Sequence, residues 1–256
     1  MVKNNYSIRF FFDSLPAWKR KIDSIPVRVF YRPASFVTAS VFTKMGVSAN
    51  TVSYISGIIG LVGCVCYLFN IYCLNIIGAV LINFWLVLDC TDGNMARCVK
   101  KQAYGEFADA VAGYVLIGFM CKCIGFAAFM EDGLLIKAGS PWIILLGAFG
   151  SAADALTRAT YNKFKSTSRD MCDRGIMPEV KDDAKASHQR GFLRALFEDQ
   201  FGLGGFLPLF ILLATIFHAL DIITIYLFLY YGAGLTATLF VTIRNAIIAA
   251  QKYEVK

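Results

Sequence analysis

Six apolar runs, each long enough to cross a lipid bilayer, dominate this chain: Val52–Phe69, Tyr72–Leu88, Tyr104–Met130, Trp142–Asn162, Gly202–Leu220 and Ile222–Ala249. About 20 apolar residues in helical form are needed to traverse the hydrocarbon. In lipid, every backbone polar group must be satisfied within the protein, so such segments are helices. The composition agrees: 57% of the 256 residues are hydrophobic and 17% charged, with a mean hydropathy of +0.57. Soluble domains carry roughly 45–50% apolar and about 25% charged residues. The expected fold is an all-α polytopic membrane protein with six transmembrane helices, preceded by an N-terminal interfacial amphipathic helix.

Basic residues orient the six runs. Of the 25 lysines and arginines, 23 fall before the first run, between the second and third, at the end of the fourth and in the loop after it, or near the C-terminus. Only Lys122 and Lys137 lie on the other side, and Lys122 and His218 read as interfacial there. The positive-inside rule then places both termini in the cytoplasm. Residues 1–48 form a cytoplasmic, interfacial segment in this reading, because Ser7–Ile22 and Pro33–Met45 mix aromatic and basic side chains suited to anionic headgroups. Residues 49–256 make the transmembrane domain, with a cytoplasmic arm at about 163–200 and a short amphipathic helix around Gly191–Phe197. The first 50 residues lack a short apolar core with a small-residue cleavage site, so no secretory leader is expected. The eight cysteines lie mostly in apolar runs without zinc-type spacing. They read as small apolar side chains rather than disulfides or metal ligands. With only two histidines, any metal ion must be held by oxygen.

The stretch Asp89-Cys90-Thr91-Asp92-Gly93-Asn94-Met95-Ala96-Arg97 closes the second run with two carboxylates three residues apart. On a helix these share a face. Asp109 follows just inside the third run, after Gly105. Acidic residues are costly in a bilayer, and one found there is a functional candidate. Capping of helix ends explains one or two of these aspartates, but not the set together with a glycine and an arginine. Three carboxylates at one rim suit a hard cation such as Mg2+. Gly93 and Gly105 permit close approach of a nucleotide or a neighbouring backbone, and Arg97 offers a planar phosphate donor.

The arrangement resembles the CDP-alcohol phosphotransferase (CDP-alcohol phosphatidyltransferase) family, whose signature is Asp-x2-Asp-Gly-x2-Ala-Arg followed by Gly-x3-Asp-x3-Asp. Asp89, Asp92, Gly93, Ala96, Arg97, Gly105 and Asp109 match it. Gly46-Val47-Ser48-Ala49-Asn50-Thr51 is similar to the family's motif ahead of the first span. The resemblance implies displacement of CMP from a CDP-alcohol by an acceptor hydroxyl in phospholipid or glycoconjugate synthesis. It further implies one or two Mg2+ or Mn2+ ions on Asp89, Asp92 and Asp109. The donor would lie against Gly93, Ala96, Arg97, Gly105 and Asn50. Expected partners are the CDP-alcohol, whether CDP-diacylglycerol or a soluble one, a hydroxyl-bearing acceptor, the bilayer and a second copy in a homodimer. No nucleic acid is expected. The implied location is a bacterial inner membrane, with the site facing the cytoplasm.

Gly113 stands where the family has its fourth aspartate, the usual general base. A base contributes about a hundred- to ten-thousand-fold in rate. Activity is then lost, supplied by another group, or carried by metal-assisted deprotonation. Asp154 is the candidate substitute: it sits about 12 Å inside the fourth run, at a depth comparable with Gly113, at 1.5 Å per helical residue. Pairing with Arg158 at i+4 is its plain alternative reading. Glu106, on the face of Asp109 but nearer the surface, is a weaker candidate. Arg158 reads as a contact for an anionic acceptor or as a snorkelling cation. A relative that binds without turnover, or a transporter, would share the same spans.

Overall fold

A computed structural model describes residues 6–178 and 200–253, all helical apart from turns and connecting segments. Among the described residues nine α-helices follow in order: α1 (Ile8–Ser14), α2 (Ala17–Ile22), α3 (Arg32–Lys44), α4 (Ala49–Cys66), α5 (Tyr72–Cys98), α6 (Gly105–Met130), α7 (Pro141–Asp173), α8 (Leu207–Ile216) and α9 (Leu220–Lys252). A wide π-type turn, Val27–Tyr31, leads into α3. Local sequence sets the starts. Ser48 caps α4 by accepting from the Thr51 N–H at 3.2 Å. Proline opens α3, α7 and α8, where its missing N–H costs nothing.

By length and apolarity, four described helical segments can cross a membrane: Ala49–Phe69, Tyr72–Cys98, Gly105–Met130 and Leu220–Lys252. The other two runs take different forms. α7 has 33 residues, about 50 Å at the helical rise. Its C-terminal third is polar and extends into the region expected to be an arm, as far as Asp173. α8 holds only 10 residues. Pro208 marks its start and the left-handed His218 (φ 54°) follows its end, so the fifth apolar run is only partly helical. The helix expected around Gly191–Phe197 lies outside the described residues.

Helices α4, α5 and α6 cross in close contact. The α4–α6 pair is parallel, with Asn50 facing Gly105, Gly57 facing Ala112 and Gly60 facing Leu116. The α6–α7 pair is antiparallel, with Cys121 against Gly147 and the Ser151 hydroxyl donating to the Ile117 carbonyl at 3.3 Å. The core between them includes Ile82, Leu86, Leu116, Met120, Ile124 and Leu227, all at most 2% exposed. Outward faces carry exposed Ile58, Val80, Phe119, Leu145 and Phe240, the pattern of helices solvated by lipid. The chain is an integral membrane protein.

The N-terminal segment does more than lie beside the bundle. Phe11, Leu15, Phe36 and Ala39 of α1 to α3 share a buried cluster with Val52 of α4 and Leu88 and Met95 of α5. The N-terminal helices are thereby fastened to the end of α5 that carries the aspartate motif.

Glycine sets the closest crossing. A Cβ at Gly147 would lie 2.5 Å from the Cys121 carbonyl oxygen and 3.0 Å from the Gly125 Cα. Neither backbone can yield without moving a helix. We expect Gly147→Ala to cost about 2 kcal/mol, read as a lowered melting temperature in detergent, whereas Gly118→Ala, facing open space, leaves it unchanged.

Candidate active site

Helix α5 continues to Cys98, so the whole Asp89–Arg97 motif is helical and its two aspartates share a face, as the spacing predicts. Asp92 is buried and its Oδ2 accepts from the Ser53 hydroxyl of α4 at 2.5 Å. Asp89 is half-buried and close enough to Asp92, and to Asp109 on α6, to feel their charges. The parallel α4–α6 register explains the convergence: it sets Asp109 level with Ser53 and Tyr54. Three carboxyl groups from two helices thus meet at one rim, and among the described residues no salt bridge neutralises any of them.

Among the described residues no three His, Cys, Asp or Glu groups are drawn together tightly enough to hold a metal ion by themselves. That is compatible with Mg2+, which keeps several waters and is generally bound by one or two carboxylates plus substrate phosphates. The donor set is all oxygen and uncompensated in charge, and it fits such an ion. Of the three, Asp92 is the one fixed by a neighbouring side chain, while Asp109 is exposed.

Arg97 folds back along its own helix over Gly93. A Cβ there would meet the guanidinium at 2.6 Å, and Nη2 donates to Asn94 Oδ1 at 3.4 Å. The missing side chain at Gly93 leaves room for the guanidinium to lie there, near enough to Asp92 for its charge to be felt. Ala96 is half-buried against the N-terminal cluster. Asn50 is engaged with the α5–α6 loop: its Nδ2 donates to the Ala103 carbonyl at 2.8 Å, and its N–H donates to Gln102 Oε1 at 3.1 Å. Gly105, where a Cβ would lie 3.5 Å from Asn50 Oδ1, starts α6 directly after the left-handed Tyr104 (φ 59°). Glu106 is exposed in the first turn of α6, where a helix N-terminus favours negative charge.

Gly113 opens on space, with nothing within 4 Å of a built Cβ. Asp154 is buried and holds Arg158 at 2.6 Å from Oδ2 to Nε. The Arg158 guanidinium lies over the Tyr114 ring, 4.9 Å from its centre. The antiparallel α6–α7 register puts Asp154 level with Tyr114, next in sequence to Gly113. The i+4 pairing is present.

Sequence reasoning missed a buried relay beside this rim. Arg32 of α3 forms a two-point ion pair with Asp23, Nε to Oδ2 at 2.9 Å and Nη2 to Oδ1 at 2.8 Å. Its Nη1 donates to Asn94 Oδ1 at 2.9 Å and the Cys90 carbonyl at 3.4 Å. Asn94 donates in turn to Ser35 Oγ at 2.8 Å. Burial acts to raise the Asp23 pKa, but Arg32 and Lys19 outweigh it and hold the carboxyl below its ordinary value. Ser53 was also missed. A lone serine in a span carries no signal, and Arg32 is one of eight basic residues ahead of α4.

Comparison with known proteins accords with this geometry. Residues 46–171 match the family model described as CDP-alcohol phosphatidyltransferase. That stretch, from ahead of α4 into α7, belongs to the CDP-alcohol phosphatidyltransferase family; it contains the three rim aspartates, Arg97, Gly113 and Asp154, but not Lys19, Asp23, Arg32 or Ser35. The family's chemistry is phospho-alcohol transfer in lipid biosynthesis. No curated protein matches the chain.

The relay has a measurable consequence. Arg32→Leu leaves the buried Asp23 carboxylate with Lys19 as its one remaining salt-bridge partner among the described residues, and we expect a loss of roughly 3 kcal/mol at neutral pH. A carboxyl with a lowered folded pKa stabilises fully above its unfolded pKa, about 3.9, and less as pH falls through the folded value. The stability gap between wild type and variant, read by thermal denaturation, should therefore narrow below about pH 4.

Proposed function

We propose that the protein is a metal-dependent CDP-alcohol phosphotransferase that joins a phospho-alcohol to an acceptor hydroxyl and releases CMP. The observation that carries this reading is the meeting of Asp89, Asp92 and Asp109 at one helical rim beside Arg97. Such a charge cluster has no structural use in itself: it is repulsive, costly to desolvate, and unpaired. A pyrophosphate with divalent cations supplies the missing charge.

In the reaction, the acceptor oxygen attacks the phosphorus bearing the alcohol. The phosphorus–oxygen bond to CMP breaks, and the leaving CMP takes the electron pair. Asp89, Asp92 and Asp109 would hold Mg2+ or Mn2+, which when bound neutralises the pyrophosphate and stabilises the leaving charge. Ser53 keeps the Asp92 carboxylate turned to the rim. Arg97, lying flat on Gly93, is positioned to donate to a phosphate oxygen of the donor. The Asn50 clamp fixes the loop on which Gly105 begins α6.

The acceptor proton is assigned to the face opened by Gly113. Asp154, held by Arg158 at the same level, orients the hydroxyl or receives its proton. Arg158 provides the cation for an anionic acceptor. Support for six crossings comes from α7 and α9, which run parallel, with Gly150 near Leu227 and Asp154 near Tyr231. With six, both termini and the site face the cytoplasm under the positive-inside rule, in a bacterial inner membrane. A homodimer is proposed from family membership alone.

A second reading has its own observation. Position 113 has no side chain and Asp154 is already occupied by Arg158, which would suit a relative that binds CDP-alcohols without turnover. Assay of CMP release with Mg2+ and a panel of CDP-alcohols separates the two. Turnover that drops at least a thousandfold in Asp89→Asn supports transfer. Mg2+-dependent heat protection by a CDP-alcohol without CMP release supports binding alone. Asp154→Asn is expected to lower turnover about a hundredfold. Full turnover in that variant would remove Asp154 from the mechanism.

A further inference from the structure

We propose that the cleft between α1, α2 and α3 is a binding site for the headgroup phosphate of an anionic phospholipid, separate from the aspartate rim. The cleft encloses about 710 Å3 and contains none of the three rim aspartates. It is lined by four arginines, Arg9, Arg20, Arg28 and Arg32, against two aspartates, Asp13 and Asp23, a net charge of +2. Both carboxylates are already taken. Asp23 is paired with Arg32 and Lys19, and Asp13 faces Arg9 at 3.6 Å.

Arg20 and Arg28 are different. Arg20 donates to the Phe12 carbonyl and lies over the Phe12 ring, 4.7 Å from its centre. Arg28 donates weakly to the carbonyls of Lys21 and Asp23, at 3.4 and 3.3 Å. Among the described residues neither meets a carboxylate. Those carbonyl contacts hold the two guanidiniums in place and leave their charge uncancelled, which is the arrangement that recognises a phosphate with several donors at once.

The rest of the cleft decides between a lipid and a free anion. Its walls are mainly apolar, formed by Ile8, Phe12, Leu15, Pro33 and Phe36. A soluble phosphate gains nothing from such walls, whereas the glycerol and first methylenes of a lipid bury against them at about 0.8 kcal/mol per CH2. The cleft also lies on the segment that packs against the motif-bearing end of α5; on the orientation proposed above that end faces the cytoplasm, where anionic lipids attract basic residues. Asp23 and Arg32 belong both to its wall and to the relay that reaches Asn94 of the motif, so an occupied cleft abuts the same struts that hold α5.

The test uses the full-length protein in a neutral detergent, titrated with dioctanoyl-phosphatidylglycerol, dioctanoyl-phosphatidylcholine or inorganic phosphate, with melting temperature as readout. Phosphatidylglycerol should raise it, and the other two should not. Arg20→Gln and Arg28→Gln, both at exposed positions and so expected to fold, should each weaken the half-maximal concentration about tenfold. Asp89→Asn should retain the full shift, which keeps this outcome distinct from any failure of the transferase reading. Equal stabilisation by phosphatidylcholine, the same shift with inorganic phosphate alone, or an unaltered titration in both arginine variants would overturn the proposal.

Discussion

Three carboxyl groups repel one another, and nothing about α5 and α6 alone would bring theirs together. The bundle forces the meeting through α4. That helix presents Ser53 to Asp92 on one side and Gly57 and Asn50 to α6 on the other, with Gly57 close enough that a Cβ would lie 3.1 Å from the Ala112 Cα. Small residues let backbones approach where lipid provides no hydrophobic drive between helices. Packing along the apolar depth of the bundle therefore offsets the electrostatic cost at its mouth. Separating α4 from α6 by one side-chain layer would carry Asp109 away from Asp89, and the rim would lose its charge density before it lost its fold.

The second support comes from outside the spans. Asn94 occupies one of the variable positions of the motif, yet it joins Arg32, Ser35 and Arg97 in one hydrogen-bonded set. Thr91, another such position, meets Thr38 of α3 at 2.5 Å. The face of α5 opposite its carboxylates is thus a docking face for the N-terminal helices. A motif read only through its fixed residues hides this, because it is the variable positions Thr91 and Asn94 that meet the N-terminal helices. Ala96 shows the boundary: it belongs to the signature but packs partly against the N-terminal cluster.

The apolar runs made the all-helical membrane architecture legible, and the spacing of Asp89, Asp92 and Asp109 made the rim legible, because both depend on period and polarity along one chain. The limits of α7 and α8 were less so. Polar residues after Asn162 read as a loop, although nothing from Lys163 to Asp173 breaks a helix. Gly204, Gly205 and Pro208, by contrast, sit in an apolar run whose length suggested a full span. The Asp23–Arg32 pair was invisible for another reason. Its partners are nine residues apart and come together through a π-type turn, a geometry without a sequence period.

Gly113 and Asp154 pose one problem seen from two helices. A carboxylate at position 113 would project from α6 into the space now open there, one helical turn deeper than Asp109, and would add a fourth negative charge to the rim. Asp154 stands at nearly the same level on α7, but arrives with its own cation in Arg158 and an aromatic platform in Tyr114. The exchange leaves the rim less negative and its inner wall roomier. On the transferase reading proposed above, both features would suit an acceptor that is itself large or anionic, since such an acceptor brings charge that a fourth carboxylate would repel and that Arg158 would attract. The same pairing occupies a carboxylate oxygen of Asp154 with a guanidinium. Deprotonation would then depend more on the divalent ions at the three remaining aspartates, and so on the Ser53 hydrogen bond that fixes the buried one.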